Sequence, residues 1–290
     1  MRALLTCLAL LTLAVGAPAR ADFLAEQIER VEEVTKAERA FAAETKEKGF
    51  HRGFIAWSTP DAIGFLPHAG NFHKALADAL AADPSLAEKP TPLRWWPNYI
   101  GVDSAGELAF DLGPWQIEGT DQAGWFFTIW QKQPNGSWKW TLDGSAGKDM
   151  PANIPPDHGA SSRFVSGVGN IADGLKQDDL SNAGYATKPA AEVLAGWTKA
   201  AIASSNVPPF IPSSEPDEAR RAAAIADRPG PGQTWTRDGY GASKDGDFIY
   251  TWGHVTAPDG TYYLGHYVRV WQKYSVGPDG WYAMVDLFHK

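Results

Sequence analysis

The side chains able to do chemistry in this chain are carboxylates and scattered imidazoles. His51, His68, His73, His158, His254, His266 and His289 show no H-E-x-x-H pattern, and no two sit at the helical spacing that would aim both rings at one metal. The single cysteine, Cys7, lies in the apolar N-terminal stretch, which leaves the rest of the chain without thiolate chemistry. Ser145 follows Asp143-Gly144 and so does not complete a G-x-S-x-G elbow, and no Walker A loop is present. Gly167 to Ala172 fits G-x-G-x-x-A, but the strand–turn–helix context that such a site requires is not legible in the sequence. No metal and no cofactor is expected. What remains is general acid–base work: a carboxylate among aromatic rings loses hydration, and its pKa rises toward neutrality. Asp143 and Asp286 are candidates because both end a strand-like aromatic run, and His68 and His254 because they follow Phe65-Leu66-Pro67 and the Tyr250–Gly253 run. Each also fits a plain structural role as a turn, cap or rim residue.

The elements that must position these residues come in two copies. Gly106–Gly113 matches Gly246–Gly253, Ile129-Trp130-Gln131-Lys132 matches Val270-Trp271-Gln272-Lys273, and Gly136-Ser137-Trp138 matches Asp279-Gly280-Trp281. Trp95 pairs with Trp235 and Phe65-Leu66-Pro67 with Phe210-Ile211-Pro212, at an offset that stays about 140 residues. A period of that length is a duplicated domain. Asp143 therefore corresponds to Asp286, whereas Asp111 corresponds to Thr251, and neither His68 nor His254 has a histidine partner.

Within each copy helical periodicity precedes strand-like sequence. Apolar residues recur at near-helical spacing over Glu26–Lys48 and Asn71–Ala82, with counterparts expected at Pro189–Ser204 and Asp217–Asp227. Trp125–Lys132 and Trp138–Asp143 are aromatic and β-branched and flank the turn signal Pro134-Asn135-Gly136. Simple alternation groups Asp143 with Lys139 and Thr141, opposite Trp138, Trp140 and Leu142, and does not decide which face lines a pocket. Helices followed by antiparallel strands make an α+β plan.

Composition narrows the partners and the compartment. The chain has 290 residues, 44% of them apolar, and a net charge of −8, which disfavours nucleic acid and anionic membrane surfaces. Met1-Arg2, the apolar run Ala3–Ala17 and the A-x-A site at Ala19-Arg20-Ala21 read as a signal peptide cleaved after Ala21. Loss of Arg2 and Arg20 with it takes the net charge from −8 to −10. The expectation is a periplasmic or secreted protein with no membrane span after cleavage, divided as 1–21 leader, 22–150 first domain, 151–180 linker and 181–290 second domain.

Glu38-Arg39-Ala40-Phe41, Asp61–Pro67, Trp96-Pro97, Ser104–Leu108, Gly113-Pro114-Trp115, Thr128–Lys132 and Gly136–Lys139 together resemble the NTF2-like superfamily, SnoaL-like/DUF4440 group. Copy two matches through Gly246–Gly253 and Tyr267–Asp286, with a more diverged front. The resemblance implies two tandem cystatin-like cones, each with helices packed on a curved antiparallel sheet and a pocket open at one end, and it allows the copies to form an intramolecular pseudo-dimer. A family that includes isomerases, dehydratases, cyclases and noncatalytic binders leaves the activity open. The expected ligand is a small apolar or amphipathic molecule. Its candidate contacts are Trp57, Phe65, Trp95, Trp115 and Trp140 in copy one and Trp235, Tyr250 and Trp252 in copy two. The alternatives are a cofactor-independent lyase or isomerase using a pocket Asp or His, and a scaffold that docks another protein through its aromatic sheet.

Overall fold

A computed structural model describes residues 17–87, 90–164, 168–195, 201–205, 209, 218–273 and 280–290. Most of the leader expected at 1–21 lies outside these residues, as does Phe210-Ile211-Pro212. The first half runs α1 (Ala17–Lys48), α2 (Phe50–Trp57), β1 (Ser58–Phe65), β2 (Ala69–Asn71), α3 (Phe72–Ala82), β3 (Leu93–Trp95) and β4 (Tyr99–Val102). It continues with β5 (Leu108–Ile117), β6 (Ala123–Lys132), β7 (Trp138–Asp149) and β8 (Ser161–Phe164). The second half holds α4 (Ile171–Thr187), α5 (Ala190–Ala195), β9 (Ile202–Ser205), α6 (Glu218–Ile225), β10 (Thr234–Ala242), β11 (Phe248–Thr256), β12 (Tyr263–Lys273) and β13 (Trp281–His289). The class is α+β, with two sheets that each carry helices. Among the described residues no helix is long and apolar enough to cross a membrane.

The sheets repeat one another. The first runs β2-β1-β7-β6-β5-β4-β8 and the second β10-β11-β12-β13-β9, so that β1-β7-β6-β5-β4 and β9-β13-β12-β11-β10 share one order, with β1 and β9 each parallel to its neighbour. β6 and β7 meet through the expected turn, where Gly136 takes φ 83° and its N–H bonds Gln133 O at 2.8 Å. Asn71 caps α3 by accepting from Lys74 N at 2.7 Å, where the sequence placed a helix start.

The front of the second half departs from expectation in two ways. The stretch 151–180 is no bare linker: it contributes β8, which pairs parallel with β4, and the opening turns of α4, capped by Asn170 at 2.9 Å from Ala172 N. It is α4, rather than Pro189–Ser204, that corresponds to α1. Helical periodicity was invisible there because the buried face of α4 is Gly174, Asp178, Ser181, Asn182 and Tyr185, which is mostly polar. Ile202–Ser204, the end of the stretch expected to be helical, instead lies in β9 (Ile202–Ser205), in register with Val285–Phe288 of β13, so sheet pairing overrides local propensity.

The two sheets pack face to face. Leu108, Phe110, Leu112, Phe127, Ile129 and Leu142 meet Phe248, Val268, Val270, Met284, Val285 and Leu287 in one core, with Phe110 and Phe248 rings 6.2 Å apart. The helices cover the opposite faces: in the first half Val31, Val34, Phe41 and Phe54 pack on Ile100, Ala109, Trp130 and Trp140. The first half thus buries both faces of its sheet, one under its own helices and one under its repeat. Truncation of the fully buried Phe110 to Ala should cost about 3–5 kcal/mol in urea unfolding, with both halves melting in a single transition. Two separate transitions would show that the halves do not depend on this core.

Candidate functional site

The site begins with one residue from each of three adjacent strands. Asp111 of β5 pairs with Thr128 of β6, and Thr128 pairs with Asp143 of β7, so the three side chains stand in a row on the helix-facing side. Asp143 reaches that side through a bulge. Ile129 pairs with Leu142 and Trp130 with Trp140, which leaves Thr141 as an extra residue and shifts the alternation by one. Trp138 and Trp140 therefore share the helix side with Asp143, while Leu142 enters the sheet–sheet core. This corrects the grouping of Asp143 with Lys139 and Thr141 that unbroken alternation implied.

The fourth group comes from α1. Its buried stripe is Gln27, Val31, Val34, Glu38, Phe41 and Thr45, so Glu38 points into the core from the middle of the helix. Its carboxylate accepts from the indole N–H of Trp130 at 3.0 Å and from that of Trp95. Asp143 accepts from the Thr128 hydroxyl at 2.8 Å. Among the described residues no ion pair reaches Glu38, Asp111 or Asp143, and the group must hold protons to stay neutral. Burial, opposed by the Thr128 hydrogen bond, raises Asp143 to about 7. Asp111, raised first by burial and then by the charge of Glu38, lies well above the ordinary carboxylate range. Glu38 is raised by burial, against hydrogen bonding from Asp111 and the two indoles. A carboxyl–carboxyl contact of the Glu38–Asp111 kind needs a proton on one partner.

Above this floor lies a cavity of about 540 Å³. Phe41, Phe54 and Phe72 wall it from the helices, and Trp95, Trp115 and Phe126 from the strands. Its rim joins the two halves: Phe65 and Pro67 meet His266 and His289 of the second half. The Phe65 and His266 rings stack at 3.9 Å with their planes 3° apart, and the Tyr263 hydroxyl donates to Pro67 O at 3.0 Å. Burial, aided by neighbouring His289, pushes His266 down to about 3, so its imidazole is neutral near pH 7.

In the second half the same framework is filled. Thr251, Arg269 and Asp286 stand in a row, and Met284 is the extra residue, because Val270 pairs with Val285 and Trp271 with Ala283. Asp178 of α4 takes the place of Glu38 and accepts from the Trp271 indole at 3.4 Å. Arg269 replaces Thr128. Its guanidinium lies 2.9 Å from Asp178 and 3.2 Å from Asp286, among the rings of Tyr267, Tyr185 and Trp235 at 4.1, 5.2 and 5.4 Å. Asp286 also meets Arg228 at 2.8 Å and accepts from the Tyr185 hydroxyl at 2.7 Å.

Of the residues singled out from sequence, Asp143, Phe65, Trp95 and Trp115 come together at the cavity. His68 is exposed at the seam outside it, edge-on to Tyr263 at 4.3 Å. Asp286 and Trp235 belong to the filled second half, and His254 bonds Asp238 at 2.8 Å far along β11. Trp57 hydrogen-bonds Glu44 at 2.8 Å, and Trp140 is sealed beneath Phe54 and Phe72. Tyr250 and Trp252 stack on each other in the sheet–sheet contact. Sequence reasoning missed Glu38, Thr128, Phe126 and His266 as site residues. Glu38 had a usable signal, an acid in the centre of an apolar helical stripe.

No family model and no curated protein matches the sequence. Among solved structures, the chain is similar to an NTF2-like protein of unknown function from Shewanella oneidensis, 16% identical, over 43% of this chain and 98% of that one at a TM-score of 0.29. It is similar to an NTF2-like protein with a cystatin-like fold from Novosphingobium aromaticivorans, 13% identical, over 48% of this chain and 93% of that one at 0.33. A ketosteroid isomerase-like protein from Erwinia carotovora atroseptica is 20% identical over 41% of this chain and 98% of that one at 0.28.

Because the folded pKa of Asp143 is raised above its ordinary 3.8, the native state binds the extra proton, and stability should fall as pH rises from about 4 through about 7. Asp143→Asn should flatten this decline and melt above the parent at pH 8, while matching it near pH 4. Parallel melting curves at all pH values would show that Asp143 is solvated.

Proposed function

We propose that the first half belongs to the NTF2-like superfamily of the SnoaL/DUF4440 kind and binds a small amphipathic molecule between its helices and sheet. The observation that carries this reading is the aromatic cavity with a polar floor at one end. Small-molecule sites are mostly apolar, with a few placed polar groups that fix orientation, and Thr128 and Asp143 supply those groups here. A volume of about 540 Å³ suits a compound of one or two rings. The described Trp residues are all buried or half-buried, so the exposed indoles that a protein-docking surface would offer are not found among them. The leader belongs to the same proposal: export with cleavage after Ala21 puts the site in the periplasm or outside the cell.

A second reading is favoured by Asp143 itself. A carboxyl held at about 7 in an apolar cavity can take or give a proton near neutral pH, which suits isomerisation or elimination without a cofactor. The binding reading should show a neutral solvatochromic dye entering the parent with a blue-shifted emission, and Trp115→Ala should weaken it about three- to tenfold. An unshifted emission would defeat it. The catalytic reading should show Asp143→Asn losing turnover of a bound ligand while keeping its affinity; unchanged turnover would overturn it. Protein recovered from the periplasm should begin at Asp22, and an intact Met1 would contradict export.

A further inference from the structure

The two halves place the same carboxylate framework around different contents. A helix residue (Glu38 or Asp178) and a last-strand aspartate (Asp143 or Asp286) flank one β-strand position, Thr128 in the first half and Arg269 in the second. In the second half that position carries its own cation, which touches both carboxylates and lies on three aromatic rings. In the first half the side chain is two heavy atoms past Cβ, and the region beyond it is open cavity. Two of those three rings remain: Trp95 corresponds to Trp235 and Phe126 to Tyr267, while Thr45 stands at the place of Tyr185. Beside Thr128 in the strand row Asp111 is wholly buried against Glu38, and among the described residues no cation pairs with it.

We infer that the first cavity takes a cationic aromatic amphiphile, a guanidinium, amidinium or protonated amine on a ring-sized apolar body, whose charged end does for Asp143 what Arg269 does for Asp286. This deepens the small-molecule reading above and rests on it. Three features converge. Aromatic walls attract a cation through their ring faces. Asp143 faces the cavity, so an entering donor can reach it with Thr128 as its only described hydrogen-bond partner. A cation there removes the need for protons that the carboxylates otherwise carry, since an opposite charge favours their ionised form. The apolar body is set by the walls of Phe41, Phe54, Phe72 and Trp115. One ligand per chain is required, because Arg269, Tyr185, Tyr267 and Asp286 fill the equivalent space in the second half.

Isothermal titration of the full chain at pH 8 with phenylguanidinium and with its neutral isostere phenylurea tests the inference. The cation should bind once per chain and about tenfold or more tighter than the urea. Asp143→Asn should remove that preference and leave the urea unchanged. Thr128→Arg, which supplies the guanidinium internally, should abolish phenylguanidinium binding with an unchanged circular dichroism spectrum. If that variant does not fold, the parent and Asp143→Asn comparisons still decide. Equal affinity for cation and urea overturns the inference while small-molecule binding stands, as does a dye that enters when neither phenyl compound does. Failure of dye and both compounds overturns the small-molecule reading as well. Two cations per chain contradicts the filled second half.

Discussion

A carboxylate enclosed between a helix and a sheet must either gain a counter-charge or keep its proton, because burying an isolated ion costs far more than any one contact returns. The two halves of this chain meet that constraint differently on one shared framework. The second half uses Arg269 and Arg228 to compensate Asp178 and Asp286, and the volume of those side chains fills the space between helix and sheet. The first half has Thr128 where the arginine stands. It keeps Glu38, Asp111 and Asp143 near neutrality through protons, indole donors and a hydroxyl, and the volume that arginine would take becomes cavity. Charge compensation and the presence of a pocket are therefore one decision, made at one position of one strand.

That decision depends on where the backbone aims the last-strand aspartate. With Trp138 and Trp140 on the helix side, a strand that alternated without interruption would put Leu142 there as well and turn Asp143 into the sheet–sheet core. The bulges at Thr141 and Met284 resolve this in both copies, feeding Leu142 and Val285 into the sheet–sheet core and turning Asp143 and Asp286 to the helix side. Both faces of the first sheet are consequently committed, with the row of carboxylates on one and the repeat on the other. The helix side of β5 and β6 then has no freedom to choose its register, because a one-residue slip would exchange Phe110 and Phe127 with Asp111 and Thr128.

The second half has a further role at the first cavity. Phe65 stacks on His266, and Pro67 accepts from Tyr263, so the rim is set by the way the sheets dock. A neutral His266 is suited to that place, since it joins an apolar rim without bringing a charge to a cavity whose floor already carries acid groups. The filled copy acts as wall and rim for the open one, an asymmetry that an intramolecular pair permits and a symmetric homodimer does not.

The sequence by itself determined the repeat, the α+β order within each copy, and the aromatic strands. These are set by side-chain types at fixed offsets, as in Trp130-Gln131-Lys132 and Trp271-Gln272-Lys273, and by the Pro134-Asn135-Gly136 turn. It also named Asp143, Phe65, Trp95 and Trp115, because a strand-end acid and large rings are local signals. The helix α4 was hidden, since its buried face is polar and hydropathy cannot distinguish a buried Asp178 paired with Arg269 from a solvated one. The bulge at Thr141 was hidden too, because pairing of β6 with β7 fixes it and no residue type announces it. Only the tertiary structure could decide that Glu38, Thr128 and Asp143 share one floor with Asp111 buried beside them, that Asp286 is locked by two arginines, and that His266 belongs to the other half's pocket. Proximity across long stretches of chain is a property of strand register and sheet docking, and neither is written in a local run of residues.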